Sequence, residues 1–390
     1  MNDIRSELES QGLMFPDFKR SNVELAKEIA RGNGSLIGKC GEKLFFLVID
    51  ALGYDLLEKA IARSAVLRNS LERAEIRKIS TVFPSFTPTV FTSIDSGLTP
   101  AEHGIIGSPL PIKEYGTFQD IFGASWWPAA NNSSDTTSMQ PLFPSPYTVL
   151  KMAKRKGFYY LQDESIIQKT KDAEALKRIN TLFYISQDDF LFQARSLLKS
   201  ARLVYAYLGE IDHIQHVYTK GTRHGFAVAV LGLERLAEKL IPQLKSSGWK
   251  LVITADHGQI SVRKSDMLLI GPRSRLMQDL SMPPWGAESA VFFEVAESRQ
   301  KSFEDQFERL LGKKFLLFNS EEAIRSGLFG KPSTKPWLRY RFGTHIAISK
   351  GAYTLKYLKP GMQPQPMRFD VRGHHGGMTK EEMEVPLLIA

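Results

Sequence analysis

The chain has 390 residues, 43% hydrophobic and 24% charged, the ordinary globular range for one large domain with an insertion or for two domains. Lys and Arg exceed Asp and Glu by 51 to 42, a net charge of +9, which favours anionic partners without separating nucleic acid from small phosphate esters. The single cysteine, Cys40, excludes an intramolecular disulfide and a cysteine-based zinc site. It fits a reducing cytoplasm. No apolar run approaches the roughly 20 residues that cross a bilayer, and the polar start MNDIRSELES does not read as a signal peptide, so the expectation is a cytoplasmic protein without a membrane anchor.

Along the chain, residues 21–31 read as a capped amphipathic helix, with Ser21 or Asn22 as N-cap and Gly32 and Gly34 as the stop. Leu44–Ile49 is a continuous apolar run of β-branched and aromatic residues, the pattern of a strand buried on both faces. Runs of the same character recur at Arg202–Leu208, Lys250–Thr254 and Val385–Ala390, and the intervening Pro146–Lys156, Asp188–Ser200 and Arg223–Lys245 read as helices. Such alternation predicts an α/β fold with a doubly wound, mainly parallel sheet. Residues 264–365 break the rhythm and read as a smaller α+β insertion, or cap, hung on the sheet of a single domain. The polar tract Asn131–Ser138 after Trp126 and Trp127 reads as a surface loop. The basic run Lys151–Lys156 reads as a solvated helix face, so nucleic acid is a partner without a motif to support it.

In an open α/β sheet the functional groups gather at the carboxyl ends of the strands. There the sequence sets Asp50 after the first strand, Asp212 with His216 four residues later after the second, and Asp256-His257 after the third; His374-His375-Gly376-Gly377 stands before the last apolar run. Five of the eight histidines, His213, His216, His257, His374 and His375, fall in these places. Imidazole and carboxylate without thiolate suit zinc, with manganese and iron as alternatives, and six such ligands are enough for two divalent ions. Two ions about 4 Å apart can clamp the attacking and leaving oxygens of a phosphoryl displacement. Thr87 directly before Pro88 reads as a helix N-cap, whose N-terminus would favour a phosphate, and its hydroxyl is the candidate nucleophile. GSLIGKC at 34–40 has the look of a P-loop but lacks the first Gly and the terminal Ser or Thr, and it precedes a strand; it reads as a loop.

Five segments in this order, LFFLVIDALGYD at 44–55, TVFPSFTPTVFTSIDSGLTPAEHGIIG at 81–107, EIDHIQH at 210–216, TADHG at 254–258 and GHHGGMTKEEMEVPL at 373–387, resemble the alkaline phosphatase superfamily. Within it they are similar to the type I phosphodiesterase and nucleotide pyrophosphatase branch. The resemblance implies Thr87 as nucleophile, one metal held by Asp212, His216 and His375, and the other by Asp50, Asp256, His257 and Thr87. His213 and His374 stand as adjacent alternatives, and His103 reads as structural. The Asn that usually binds a phosphoryl oxygen after the HGI segment is here Ser108, a shorter donor, and Pro88 removes a backbone N–H beside the nucleophile. The implied activity is hydrolysis of phosphate esters or nucleotides, diesters first. Monoesters or phosphonates on the same frame are the alternatives within the class, and a catalytically silent binding protein is the alternative outside it.

Overall fold

The computed structural model describes residues 3–112, 117–119, 125–127, 144–164, 179–332, 336–359, 361 and 370–390. The tract Asn131–Ser138 lies outside them. Leu44–Ile49 is buried at every position, and it lies near the middle of a seven-stranded sheet. The order across the sheet is Glu75–Ser80, Glu384–Ile389, Lys250–Thr254, Leu44–Ile49, Leu203–Leu208, Phe158–Asp163 and Thr181–Tyr184. Leu203–Leu208 pairs with Leu44–Ile49 in parallel, Leu203 opposite Leu44 and Leu208 opposite Ile49, and Lys250–Thr254 pairs on the other side with Thr254 opposite Val48. Three central strands therefore end at one edge within a residue or two of each other, which brings Asp50, the Asp212 helix and Asp256 together.

Only Glu384–Ile389 runs antiparallel, against both of its neighbours. It contains Pro386, which has no N–H to donate. Its ladder with Lys250–Thr254 covers Leu388 and Ile389 alone, so Pro386 meets only the Glu75–Ser80 side. Three strands of the sheet, Glu75–Ser80, Phe158–Asp163 and Thr181–Tyr184, have no long apolar run, since each lies toward an edge and keeps polar or half-exposed positions.

Two predicted helices differ in detail. Arg223–Lys245 is two helices, Arg223–Lys239 and Ile241–Ser246. Pro242 at the start of the second cannot donate to the preceding turn and breaks the ladder at Leu240. Thr87 is the first residue of the helix Thr87–Ser96, not its N-cap; Phe86 holds the cap position without a side-chain bond, and Gly97 ends the helix at φ 73°. The Thr87 hydroxyl is thus released from capping. Asn22–Arg31 starts at Ser21, whose side chain accepts from Glu24 N. Its buried Asn22 donates to Ala255 O at 3.3 Å and Asp256 O at 3.1 Å, which ties this helix to the loop carrying Asp256-His257. The GSLIGKC segment folds back on itself, Asn33–Gly34 against Gly38–Lys39. Glu28 Oε2 accepts from Leu36 N at 2.8 Å and Ile37 N at 3.2 Å, so a carboxylate already occupies the loop amides a phosphate would need.

Residues beyond His257 leave the sheet along a two-stranded stem. Ile260–Arg263 runs antiparallel to Val371–His374, with Ile260 opposite His374. Between the two stem strands the chain builds a four-stranded sheet, in the order Trp285–Ala287, Ala290–Phe293, His345–Ser349 and Phe315–Asn319. The helix Gln300–Leu311 buries Phe303, Phe307 and Leu311 against this sheet. The stem couples this segment to the carboxyl edge of the sheet, because one strand begins just after His257 and the other ends at His374.

The helix Thr87–Ser96 is anchored at its far end. Tyr205 and Tyr160 hydroxyls donate to Asp95 at 3.0 and 3.3 Å. His103, 2% exposed, accepts the Ile105 amide at Nδ1 (2.9 Å), so its Nε2–H faces Ser93 Oγ at 2.8 Å. Burial, helped by the nearby Arg341 cation, pushes the His103 pKa down to about 3. Protonation would set a second N–H against the Ile105 amide. With a folded pKa below the unfolded value near 6.5, this histidine contributes stability that is present above pH 6.5 and lost as pH falls toward 3, on the order of 5 kcal/mol. His103→Asn keeps an acceptor for Ile105 N but cannot titrate, so urea unfolding between pH 7 and 4 is expected to show a shallower loss of stability than wild type. Parallel curves for the two proteins would exclude this coupling.

Candidate active site

Two groups of ligand atoms converge at the carboxyl edge of the sheet, each within 4.8 Å: Asp50, Asp256 and His257, fully buried, and Asp212, His216 and His375, partly exposed. In the first group His257 Nε2 lies 3.5 Å from Asp50 Oδ1 and 3.3 Å from Asp256 Oδ2. In the second, Asp212 Oδ1 lies 3.3 Å from His216 Nε2 and 3.9 Å from His375 Nε2. The groups adjoin, since the His257 and His375 rings stack at 3.8 Å between centroids.

Each ligand is set by its element. Asp50 follows the buried central strand, and the next residue, Ala51, takes φ 58°, turning the chain at the sheet edge. Asp212 and His216 lie four apart on the helix Glu210–Tyr218 and therefore share a face. Asp256 Oδ1 accepts from Ala51 N at 3.1 Å and His257 N at 2.8 Å, leaving Oδ2 directed at the group. Close approach of the Asp50 and Asp256 loops needs Gly258, where a Cβ would stand 2.8 Å from Gly53 Cα and 2.0 Å from Glu381 O.

The three imidazoles share one orientation device. Nδ1 of His257 meets Gly258 O at 3.0 Å, Nδ1 of His216 meets Gly373 O at 2.9 Å, and Nδ1 of His375 meets Ser85 O at 3.1 Å. A carbonyl only accepts, so Nδ1 carries a proton in all three and Nε2 is the atom each ring turns into its group. Asp50 Oδ1 and Asp256 Oδ2 are buried and have no hydrogen-bond donor. Carboxylate oxygens facing an imidazole lone pair are acceptors facing an acceptor, an arrangement that suits a cation. The residues present fit two divalent metal ions on this ground.

Electrostatics agree. Burial, then repulsion from Asp256 and Asp212, raises the Asp50 carboxyl well above the usual range, and burial likewise raises Asp256. Burial would raise Asp212 and lower His216, but their mutual attraction holds Asp212 below its usual range and His216 above its own. Burial and the neighbouring His257 push His375 well down, keeping its ring neutral.

Thr87 Oγ1 stands 2.9 Å from His257 Nε2, so its hydroxyl opens on the buried group. His213 is exposed on the same helix and joins neither group. His374 turns to Glu288, Nδ1 to Oε2 at 3.4 Å, and joins neither group. Ser108 lies where the inserted segment meets the core: its amide donates to Gly286 O at 3.3 Å, and the preceding Gly107 is packed against Gly286. Sequence reading missed Tyr207, whose hydroxyl donates to Asp50 Oδ2, and Gln259, whose amide donates to Asp212 Oδ1. Tyr207 is hidden inside an apolar strand run; a polar residue directly after TADHG was the one available signal for Gln259.

No curated protein matches the chain. Among solved structures, an inactive variant of murine ectonucleotide pyrophosphatase/phosphodiesterase 5 in complex with AMP is similar with a TM-score of 0.62 at 14% identity, over 89% of this chain and 88% of that one. The human protein of the same name has a TM-score of 0.63 at 14% identity, over 89% and 87%. Phosphonoacetate hydrolase from Sinorhizobium meliloti, in complex with phosphonoformate, has a TM-score of 0.63 at 19% identity, over 90% and 91%. At such identities the likeness is one of fold. Residues 44–271 match the model of the type I phosphodiesterase / nucleotide pyrophosphatase family, more than half of the chain, so the chain belongs to that family and is a metal-dependent hydrolase of phosphate esters.

Proposed function

We propose that the chain is a phosphodiesterase of the nucleotide pyrophosphatase type, acting on a small phosphate ester or nucleotide through Thr87 as nucleophile. The observation that carries this reading is the Thr87 hydroxyl, 2.9 Å from His257 Nε2 at the edge of two adjacent carboxylate–imidazole groups. Asp50, Asp256, His257 and Thr87 would hold one ion, and Asp212, His216 and His375 the other. Zinc is the expected load for this oxygen and nitrogen set, with manganese or iron as alternatives. When bound, the ions supply charge neutralisation at the phosphoryl oxygens and lower the hydroxyl pKa of Thr87.

The chain's own residues do the rest. Thr87 Oγ gives up its proton and forms a bond to phosphorus as the P–O bond to the first alcohol breaks, that alcohol leaving with a proton; water then cleaves the resulting threonine phosphodiester, which releases the phosphomonoester and restores the hydroxyl. Its place at the start of Thr87–Ser96 puts the phosphoryl group at a helix N-terminus, where the dipole favours negative charge. Ser108 is the proposed hydroxyl donor to a phosphoryl oxygen. Residues 264–365 form the proposed cap of a single catalytic domain, carrying the leaving-group side of substrate selection from a wall that meets the core at Ser108. A cytoplasmic location fits the free, buried Cys40, and no helix among the described residues is long and apolar enough to cross a membrane.

The test is direct. Protein purified without chelator is expected to carry close to two ions per chain and to hydrolyse a nitrophenyl phosphodiester faster than the corresponding monoester or a phosphonate. No bound metal would defeat the reading, and a faster monoester or phosphonate reaction would move the substrate class on the same frame.

A further inference from the structure

The geometry points to Gln259 as a positioning residue for the Asp212–His216–His375 group, an assignment that rests on the two-metal reading above and deepens it. Gln259 is 1% exposed and sits between Gly258 and the stem strand Ile260–Arg263. Its Nε2 donates to Asp212 Oδ1, the same oxygen that faces His216 Nε2 at 3.3 Å and His375 Nε2 at 3.9 Å. An ionised carboxylate only accepts, so the amide must turn its NH2 to Asp212. That choice leaves Gln259 Oε1 buried with no hydrogen-bond partner.

A second contact fixes the amide from behind. Gly373 lies against it: a Cβ there would be 2.4 Å from Gln259 Oε1 and 2.3 Å from Gln215 O. Gly373 O is in turn the acceptor for His216 Nδ1. One buried side chain therefore sets the rotation of the Asp212 carboxylate, and one glycine accommodates it while orienting the neighbouring histidine. Leaving an amide oxygen unpaired in the interior is unfavourable by itself. The gain is at Asp212, whose ligand oxygen is held toward the two imidazoles before any ion arrives. The buried group has its own separate support, the Tyr207 hydroxyl on Asp50, so loss of Gln259 acts on one site and spares the other.

Gln259→Met and Gln259→Leu remove the donor and keep an apolar chain of similar reach. Chelator-stripped wild type and both variants are titrated with zinc against a chromophoric competitor, and the metal-free proteins are melted in parallel. Wild type is expected to bind two ions, and the variants to lose about 10–100-fold in affinity at one site, with the other within about 3-fold. Metal-free melting temperatures at or above wild type are expected, since the unpaired Oε1 is gone. Two ions in wild type with unchanged affinities in the variants, or with both sites weakened together, would overturn the Gln259 assignment alone. Both variants failing to fold would overturn it as well, in favour of a structural role. Fewer than two ions in wild type would overturn the two-metal reading and this assignment with it.

Discussion

Replacing Thr87 with alanine is expected to lower turnover of a nitrophenyl phosphodiester on the order of 10³-fold or more while both ions stay bound. The hydroxyl is the only group of Thr87 directed at the buried site, 2.9 Å from His257 Nε2. It has no capping task, because Phe86 takes the N-cap position, and alanine is a better helix former than threonine. The variant should therefore fold and melt as wild type does, separating chemistry from stability. Thr87→Ser keeps the hydroxyl and is expected to retain activity within about tenfold. Full activity in Thr87→Ala with its metals bound would mean that another group attacks phosphorus.

The second large effect changes sign with metal. Asp50 is 2% exposed, and burial together with Asp256 and Asp212 holds its pKa well above the usual carboxylate range. A carboxyl raised in the folded state contributes stability that is present below its unfolded pKa near 3.8 and lost as pH rises through the folded value. Metal-free protein at neutral pH therefore carries the strain of three neighbouring acids. In chelator-treated protein, Asp50→Asn is expected to raise stability by about 1–2 kcal/mol. In metal-replete protein the same change removes a ligand and should weaken one ion by more than the roughly 10–100-fold of an outer-shell change, so the variant melts below wild type. Thermal melts of both proteins with and without chelator provide the four values. If Asp50→Asn shifts melting equally in the two conditions, Asp50 does not face an ion. The Tyr207 hydroxyl, kept protonated by burial beside Asp50, donates to its Oδ2 and leaves Oδ1 for that ion.

The sequence by itself determined the central strands and the residues at their ends. Leu44–Ile49 and Leu203–Leu208 are buried on both faces, so every position had to be apolar and the run was unbroken. The acids and histidines that follow stand out because nothing in a core tolerates them unpaired. Edge strands such as Glu75–Ser80 were illegible, since solvent on one side lets charged residues in. The local pattern left the division of the candidate ligands open; the family resemblance implied it, and the tertiary structure brings the same two groups together and supplies the physical reason. His213 and His216 lie three apart on one helix, and His374 and His375 are neighbours, yet only His216 and His375 join the group at Asp212. That choice depends on which carbonyl meets each Nδ1: Gly373 O for His216 and Ser85 O for His375, the latter 290 positions away in the chain. The release of Thr87 from capping and the supports from Tyr207 and Gln259 are of the same kind. Periodicity records which face of an element is buried, whereas the partner of a polar atom is set by chain segments that become neighbours only when the sheet and the stem have formed.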